Sequence, residues 1–161
     1  MIDFPNRKQI RLKYYDYSEN GFYFITICTH NRQKLFNTNV GEAPCGLPAD
    51  MIKKWLYKLQ TKFYGVHVHE YIIMSDHIHF ILSKTGDHTG SPLHEIIDWF
   101  KTMTTNEYIK NVKNNIYPKF DKKIWQRSYY EHIIRNENDY IKAAEYIINN
   151  PVAEIYSNEH R

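Results

Sequence analysis

His77-Ile78-His79 is the first place in this sequence where residue type and spacing could do chemistry. The triplet lies in an apolar, β-branched run, and side chains two apart on a strand project from one face. Two imidazoles on one face offer two nitrogen ligands to a divalent metal and leave coordination positions open for another side chain and a substrate oxygen. The competing account is an ordinary polar strand face. The chain also carries a control, because His67-Val68-His69 repeats the pattern on the preceding strand. Spacing alone does not choose between the two pairs.

The second candidate is Tyr146-Ile147-Ile148-Asn149-Asn150. Residues four apart on a helix share a face, with about 6 Å of rise between them. Tyr146 and Asn150 would present a phenol and an amide to the same space. The phenol is a candidate nucleophile and the amide oxygen a candidate metal ligand. The competing accounts are a core position for Tyr146 and a C-terminal cap for Asn150.

These side chains need elements to position them. Phe22 to Thr29 is β-branched and aromatic and reads as a strand. Residues 37 to 48 hold two glycines and two prolines and read as a loop. A helix is expected from about Ala49 to Tyr64, with Ile52, Leu56, Leu59 and Phe63 as its apolar stripe. Strands follow over Val66–Met74 and His77–Ser83, joined tightly at Ser75-Asp76. A second helix runs from Pro92 or Leu93 to about Lys110, and a fourth strand falls within Arg127–Arg135. Asn136 to Asp139 then cap a third helix, which Pro151 should end or bend. This order predicts an α+β fold. It is a ferredoxin-like plait with a four-stranded antiparallel sheet, two packing helices and a C-terminal helix carrying Tyr146.

Residues 1–161 fit one domain, with residues 1–20 as a basic, aromatic N-terminal arm. The net charge of +3 permits a nucleic-acid partner without demanding one, and 14 tyrosines and 9 histidines suit base stacking and metal binding. No apolar run approaches the roughly 18 residues of a membrane span. The first residues lack an apolar signal core, so a cytoplasmic protein, nucleoid-associated when bound to DNA, is expected. The two cysteines make neither a disulfide framework nor a zinc cage. Cys28 reads as a small core residue and Cys45 as part of a loop.

Three stretches together resemble the REP-associated tyrosine transposases, within the single-tyrosine HUH transposases. The first is Arg11-Leu12-Lys13-Tyr14-Tyr15-Asp16-Tyr17 leading into Tyr23 to Thr29. The second is Tyr71-Ile72-Ile73-Met74-Ser75-Asp76-His77-Ile78-His79. The third is Trp125 to Arg135 followed by Tyr146 to Val152. The resemblance places the family's histidine pair on His77 and His79, its nucleophile on Tyr146 and its third metal ligand on Asn150. It gives His67 and His69 no role. Ser75 and Asp76 stand where the family has proline and asparagine. Little sequence follows Val152, so no function is expected from a longer tail.

The resemblance implies a transposase that cleaves and rejoins single-stranded or hairpin DNA through a 5′-phosphotyrosine, using Mg²⁺ or Mn²⁺ at His77, His79 and Asn150. A phenol, with a pKa of roughly 10, needs help to act as a nucleophile at neutral pH. The metal, a water or Lys142 could supply it. Arg7, Arg11, Lys101, Thr105 and Arg127 are the expected nucleic-acid contacts, with no membrane partner, in a monomer or homodimer. Two rival readings stand beside this one. They are a metal-dependent phosphodiesterase using water, and a catalytically inactive or domesticated protein that binds single-stranded nucleic acid.

Overall fold

The computed structural model describes residues 21–36, 47–86 and 90–159, and of residues 151–159 the backbone alone. The basic arm with Arg7 and Arg11, and Cys45, lie outside the described residues.

Four strands form one antiparallel sheet: β1 (Gly21–Cys28), β2 (Val66–Ile73), β3 (His77–Lys84) and β4 (Tyr130–Ile134), in the order β2-β3-β1-β4. Three helices accompany them: α1 (Pro48–Lys62), α2 (Leu93–Lys113) and α3 (Glu137–Glu159). The expected plait is present.

The sheet is covered on both faces, which is why β1 and β3 read as nearly continuous apolar runs. Tyr23, Ile25 and Ile27 of β1 and Ile78, Phe80 and Leu82 of β3 face α1 and α2. Helix α1 buries Met51, Ile52, Trp55, Leu56 and Leu59, and the Asp50 carboxylate accepts the Leu47 N–H at 3.1 Å to steady its first turn. Helix α2 buries Ile96, Ile97, Phe100, Thr104 and Tyr108. A buried hydrogen bond from Trp125 Nε1 to Thr104 Oγ1, 2.9 Å, ties the segment before β4 to this helix.

The opposite face belongs to α3. Phe24, Ile81, Ile134, Ala143 and Ile147 form a smaller second core there. The register sets His77 opposite Cys28 and His79 opposite Thr26, so both histidines point to the α3 side. Cys28 therefore lies on the site face, half-buried, rather than in the main core expected for it.

Helix α3 starts where its cap signal placed it. Asn136 Oδ1 accepts the Asp139 N–H at 2.9 Å. The helix does not stop at Pro151 but runs to Glu159. Proline's fixed φ is helical, so it can remain inside a helix at the loss of one backbone hydrogen bond.

Gly65 links α1 to β2 with φ +74, and a Cβ there would lie 1.6 Å from the Thr85 carbonyl oxygen. That carbonyl cannot retreat without breaking the end of the β2–β3 pair, where Thr85 N–H donates to Gly65 O at 2.8 Å. Gly65→Ala should therefore destabilise the fold by about 3 kcal/mol or more, measured by urea unfolding. A loss below about 0.5 kcal/mol would contradict this packing.

Candidate active site

Strand β3 delivers His77 and His79 side by side, with ring centroids 4.7 Å apart at 73°. Both rings are held through Nδ1. His77 Nδ1 donates to Asp76 Oδ1 at 2.6 Å, and His79 Nδ1 shares a hydrogen bond with Thr26 Oγ1 at 2.7 Å. Nε2 of each ring lies outside these two contacts. Such partners orient an imidazole ring.

Asp76 is itself held. Arg32 Nε donates to its Oδ2 at 3.1 Å, and Arg32 Nη1 reaches Cys28 Sγ at 2.9 Å. Arg32 comes from a single 3-10 turn, His30–Arg32, in which Asn31 and Arg32 both have φ +54. Left-handed backbone costs a non-glycine residue roughly 1–2 kcal/mol. The Arg32–Asp76 pair is partly exposed, at 44% and 18%, and such pairs return about 0–1 kcal/mol. Its contribution to stability does not offset that backbone.

His79 is nearly enclosed, with 6% of its surface exposed. Burial first, then the charges of His77 and Arg32, push its pKa from 6.5 down to about 3. At physiological pH it is a neutral ring, the form a metal needs. The folded state thus binds fewer protons than the unfolded state between these two values, so stability is complete above pH 6.5 and falls as pH drops toward 3. In metal-free protein this should remove a few kcal/mol, on the order of 1.4 per pKa unit at most. His79→Gln should flatten that part of the profile, and thermal unfolding at pH 7.5 and pH 4.5, roughly either side of the imidazole range, measures it. Identical acid sensitivity in the variant would contradict the assignment.

Helix α3 brings the phenol. Its first turn is pinned to β4 by Asp139, whose carboxylate takes His132 Nε2 at 2.9 Å and the Arg135 N–H at 3.2 Å. Two turns on, the half-buried Tyr146 sets its ring 5.2 Å from His79 at 76° and 5.8 Å from Phe24. Phe24 stacks on His79 at 5.4 Å, so the three rings form a mutual cluster. The histidine thus packs against two aromatic rings that also touch each other, one of them the candidate nucleophile. Asn150 lies one helical turn beyond Tyr146 and is half-buried.

Among the described residues no group of three or more His, Cys, Asp or Glu gathers around a metal position. An ion here would rest on two imidazoles and on oxygen donors such as the Asn150 amide, a set compatible with Mn²⁺ or Mg²⁺ and open to substrate. The control pair behaves differently. Strand β2 is irregular between Val68 and Tyr71, where two residues oppose one of β3. His69 bonds Ser83 Oγ at 2.8 Å and packs 5.3 Å from Phe22, toward the far end of β3 from His77.

Of the expected DNA contacts, Arg127 is exposed and Thr105 half-buried. Lys101 and Thr105 are on α2, across the sheet from the histidines. Lys101 Nζ donates to the Gln126 and Arg127 carbonyls at 2.8 and 3.1 Å, so its ammonium helps hold that loop. Lys142 is exposed, one turn before Tyr146. The structure adds Phe24, Thr26, Cys28, Arg32 and Asp76 to the site. Only Asp76 had a sequence signal, its place beside His77, and that signal pointed to a turn.

Comparison with known proteins gives the class of protein to which this sheet and helix belong. Residues 18–150 match the family described as "Transposase IS200 like". The chain belongs to the IS200-like transposases. Within them its likeness is to the REP-associated tyrosine transposases. A Haemophilus influenzae protein named as a REP-associated tyrosine transposase is 28% identical over 88% of this chain and 76% of its own length. A second, uncharacterized H. influenzae protein is 33% identical over 91% of this chain and 89% of its own. A solved REP-associated tyrosine transposase bound to a REP hairpin shares the fold, with a TM-score of 0.63 and 21% identity over 92% of this chain and 74% of that one. Among the described residues no helix is long and apolar enough to cross a membrane.

Proposed function

We propose that this chain cleaves and rejoins single-stranded or hairpin DNA through Tyr146, with a divalent ion held by His77, His79 and Asn150. The observation that carries the reading is the Tyr146 ring packed 5.2 Å from His79, on the sheet face that also presents His77. Membership of the IS200-like transposases and the likeness to a hairpin-bound relative support the choice of substrate.

An ion bound there would draw electron density from phosphorus and offset charge on the non-bridging oxygens. The chain's own residues do the rest. Phe24 and Thr26 hold the His79 ring, and Asp76 holds His77. Helix α3 aims the phenol across the same space. The Tyr146 oxygen bonds to phosphorus and the P–O3′ bond breaks. The phenol proton passes to water, and the departing O3′ takes up a proton from solvent. The products are a 5′-phosphotyrosine and a free 3′-hydroxyl. Because the phosphodiester is kept in the covalent link, a second 3′-hydroxyl can reverse the step without ATP. Arg127, with Arg7 and Arg11 of the arm, supplies phosphate contacts, and exposed aromatic rings stack on unpaired bases.

The test is incubation with labelled hairpin oligonucleotide and Mn²⁺, followed by denaturing electrophoresis. A labelled protein band is expected. Cleavage to a free 5′-phosphate with no protein-bound label would favour a water-using phosphodiesterase. Salt-sensitive binding with no cleavage would favour a binding protein.

A further inference from the structure

We propose that Asp76 is a positioning residue for His77, and that Arg32 serves it by holding the carboxylate in place. The inference rests on the reading of His77 as a metal ligand. A carboxylate can only accept a hydrogen bond. The 2.6 Å contact between His77 Nδ1 and Asp76 Oδ1 therefore puts the ring proton on Nδ1 and leaves the Nε2 lone pair for the metal. The Thr26 hydroxyl beside His79 can donate or accept and imposes no such choice. An asparagine at position 76 would share that ambiguity, since its amide offers both groups.

The surroundings are built around this carboxylate. The Asp76 carbonyl accepts the Thr29 N–H at 2.9 Å and Thr29 Oγ1 at 3.1 Å, and the Ser75 carbonyl accepts the Phe36 N–H at 2.9 Å. The turn before β3 is thus sewn to the segment after β1. From that segment a left-handed pair of residues, Asn31 and Arg32, sends the guanidinium to Asp76 and Cys28. The ion pair's own contribution to stability does not account for this backbone. Carboxylate partners of this kind typically change metal affinity by roughly 10–100-fold.

The test uses the full chain labelled with ¹⁵N-histidine, metal-free, at about pH 8, above the ordinary imidazole range. Long-range ¹H–¹⁵N spectra, assigned with His77→Gln, read the His77 tautomer, and Mn²⁺ affinity is read by electron paramagnetic resonance. Wild type should show His77 protonated on Nδ1. Asp76→Ala should move it toward Nε2–H and weaken Mn²⁺ by about 10–100-fold. Asp76→Asn keeps an acceptor of the same shape and should recover part of that loss. A wild-type His77 protonated on Nε2 would overturn the inference. So would Mn²⁺ affinity that is lost in His77→Ala but kept in Asp76→Ala, which would leave the proposed function standing. Affinity kept in both variants would overturn the metal reading of His77 and the role of Asp76 with it.

Discussion

Tyr146→Phe should abolish covalent capture of DNA and slow strand cleavage by about 10³-fold or more, while hairpin affinity stays within about twofold. Phenylalanine keeps the ring that packs on His79 and Phe24 and removes only the oxygen. The ring contacts with His79 and Phe24 are therefore kept, and the loss reports the phenol oxygen. Thermal unfolding should be nearly unchanged, which separates a chemical defect from a folding one. Cleavage near the wild-type rate would return Tyr146 to the core role that its place on an amphipathic helix also allows.

His79→Ala should be the second large effect. It removes a proposed ligand nitrogen and also a ring packed against both Phe24 and Tyr146, so two losses add. Mn²⁺ affinity should fall by about 10²-fold or more, with cleavage falling at least as far. Truncating a side chain with 6% exposure should also cost stability, on the order of 1–3 kcal/mol. His79→Gln separates the two, since it fills most of the volume without the imidazole. The matched control is His67→Ala on β2, an exposed member of the pair with the same spacing, which should leave metal affinity unchanged. Equal losses in His67→Ala and His79→Ala, by calorimetric titration, would show that the ion does not sit at His77 and His79.

The order of elements was legible because each carries a local signal. Helices α1 and α2 show apolar stripes at helical spacing, β1 and β3 are β-branched and aromatic, and Asn136 caps α3. The paired histidines were legible because strand alternation is a local rule. Which pair lies beside Tyr146 was not. That depends on the irregularity in β2 and on the register of β3 against β1, neither of which has a local signature. Thr26 and Cys28 reach the site for the same reason, as register partners of His79 and His77 across a long sequence separation. Arg32 arrives through a left-handed turn without glycine, and nothing in His30-Asn31-Arg32 announces one. Lys101 shows the opposite failure. Its helical face was readable, but its partners, the carbonyls of residues 126 and 127, belong to a loop distant in sequence. Pro151 imposes a local penalty that the rest of the helix outweighs, since α3 continues beyond it.

The most direct test is to trap the protein–DNA adduct formed with Mn²⁺, digest the DNA and the protein, and map by tandem mass spectrometry the residue that retains a nucleotide. The nucleotide should be found on Tyr146, joined through its 5′-phosphate. A nucleotide on another tyrosine of the site face, such as Tyr130 or Tyr140, or one joined through a 3′-phosphate, would contradict the arrangement of phenol and imidazoles described for this chain.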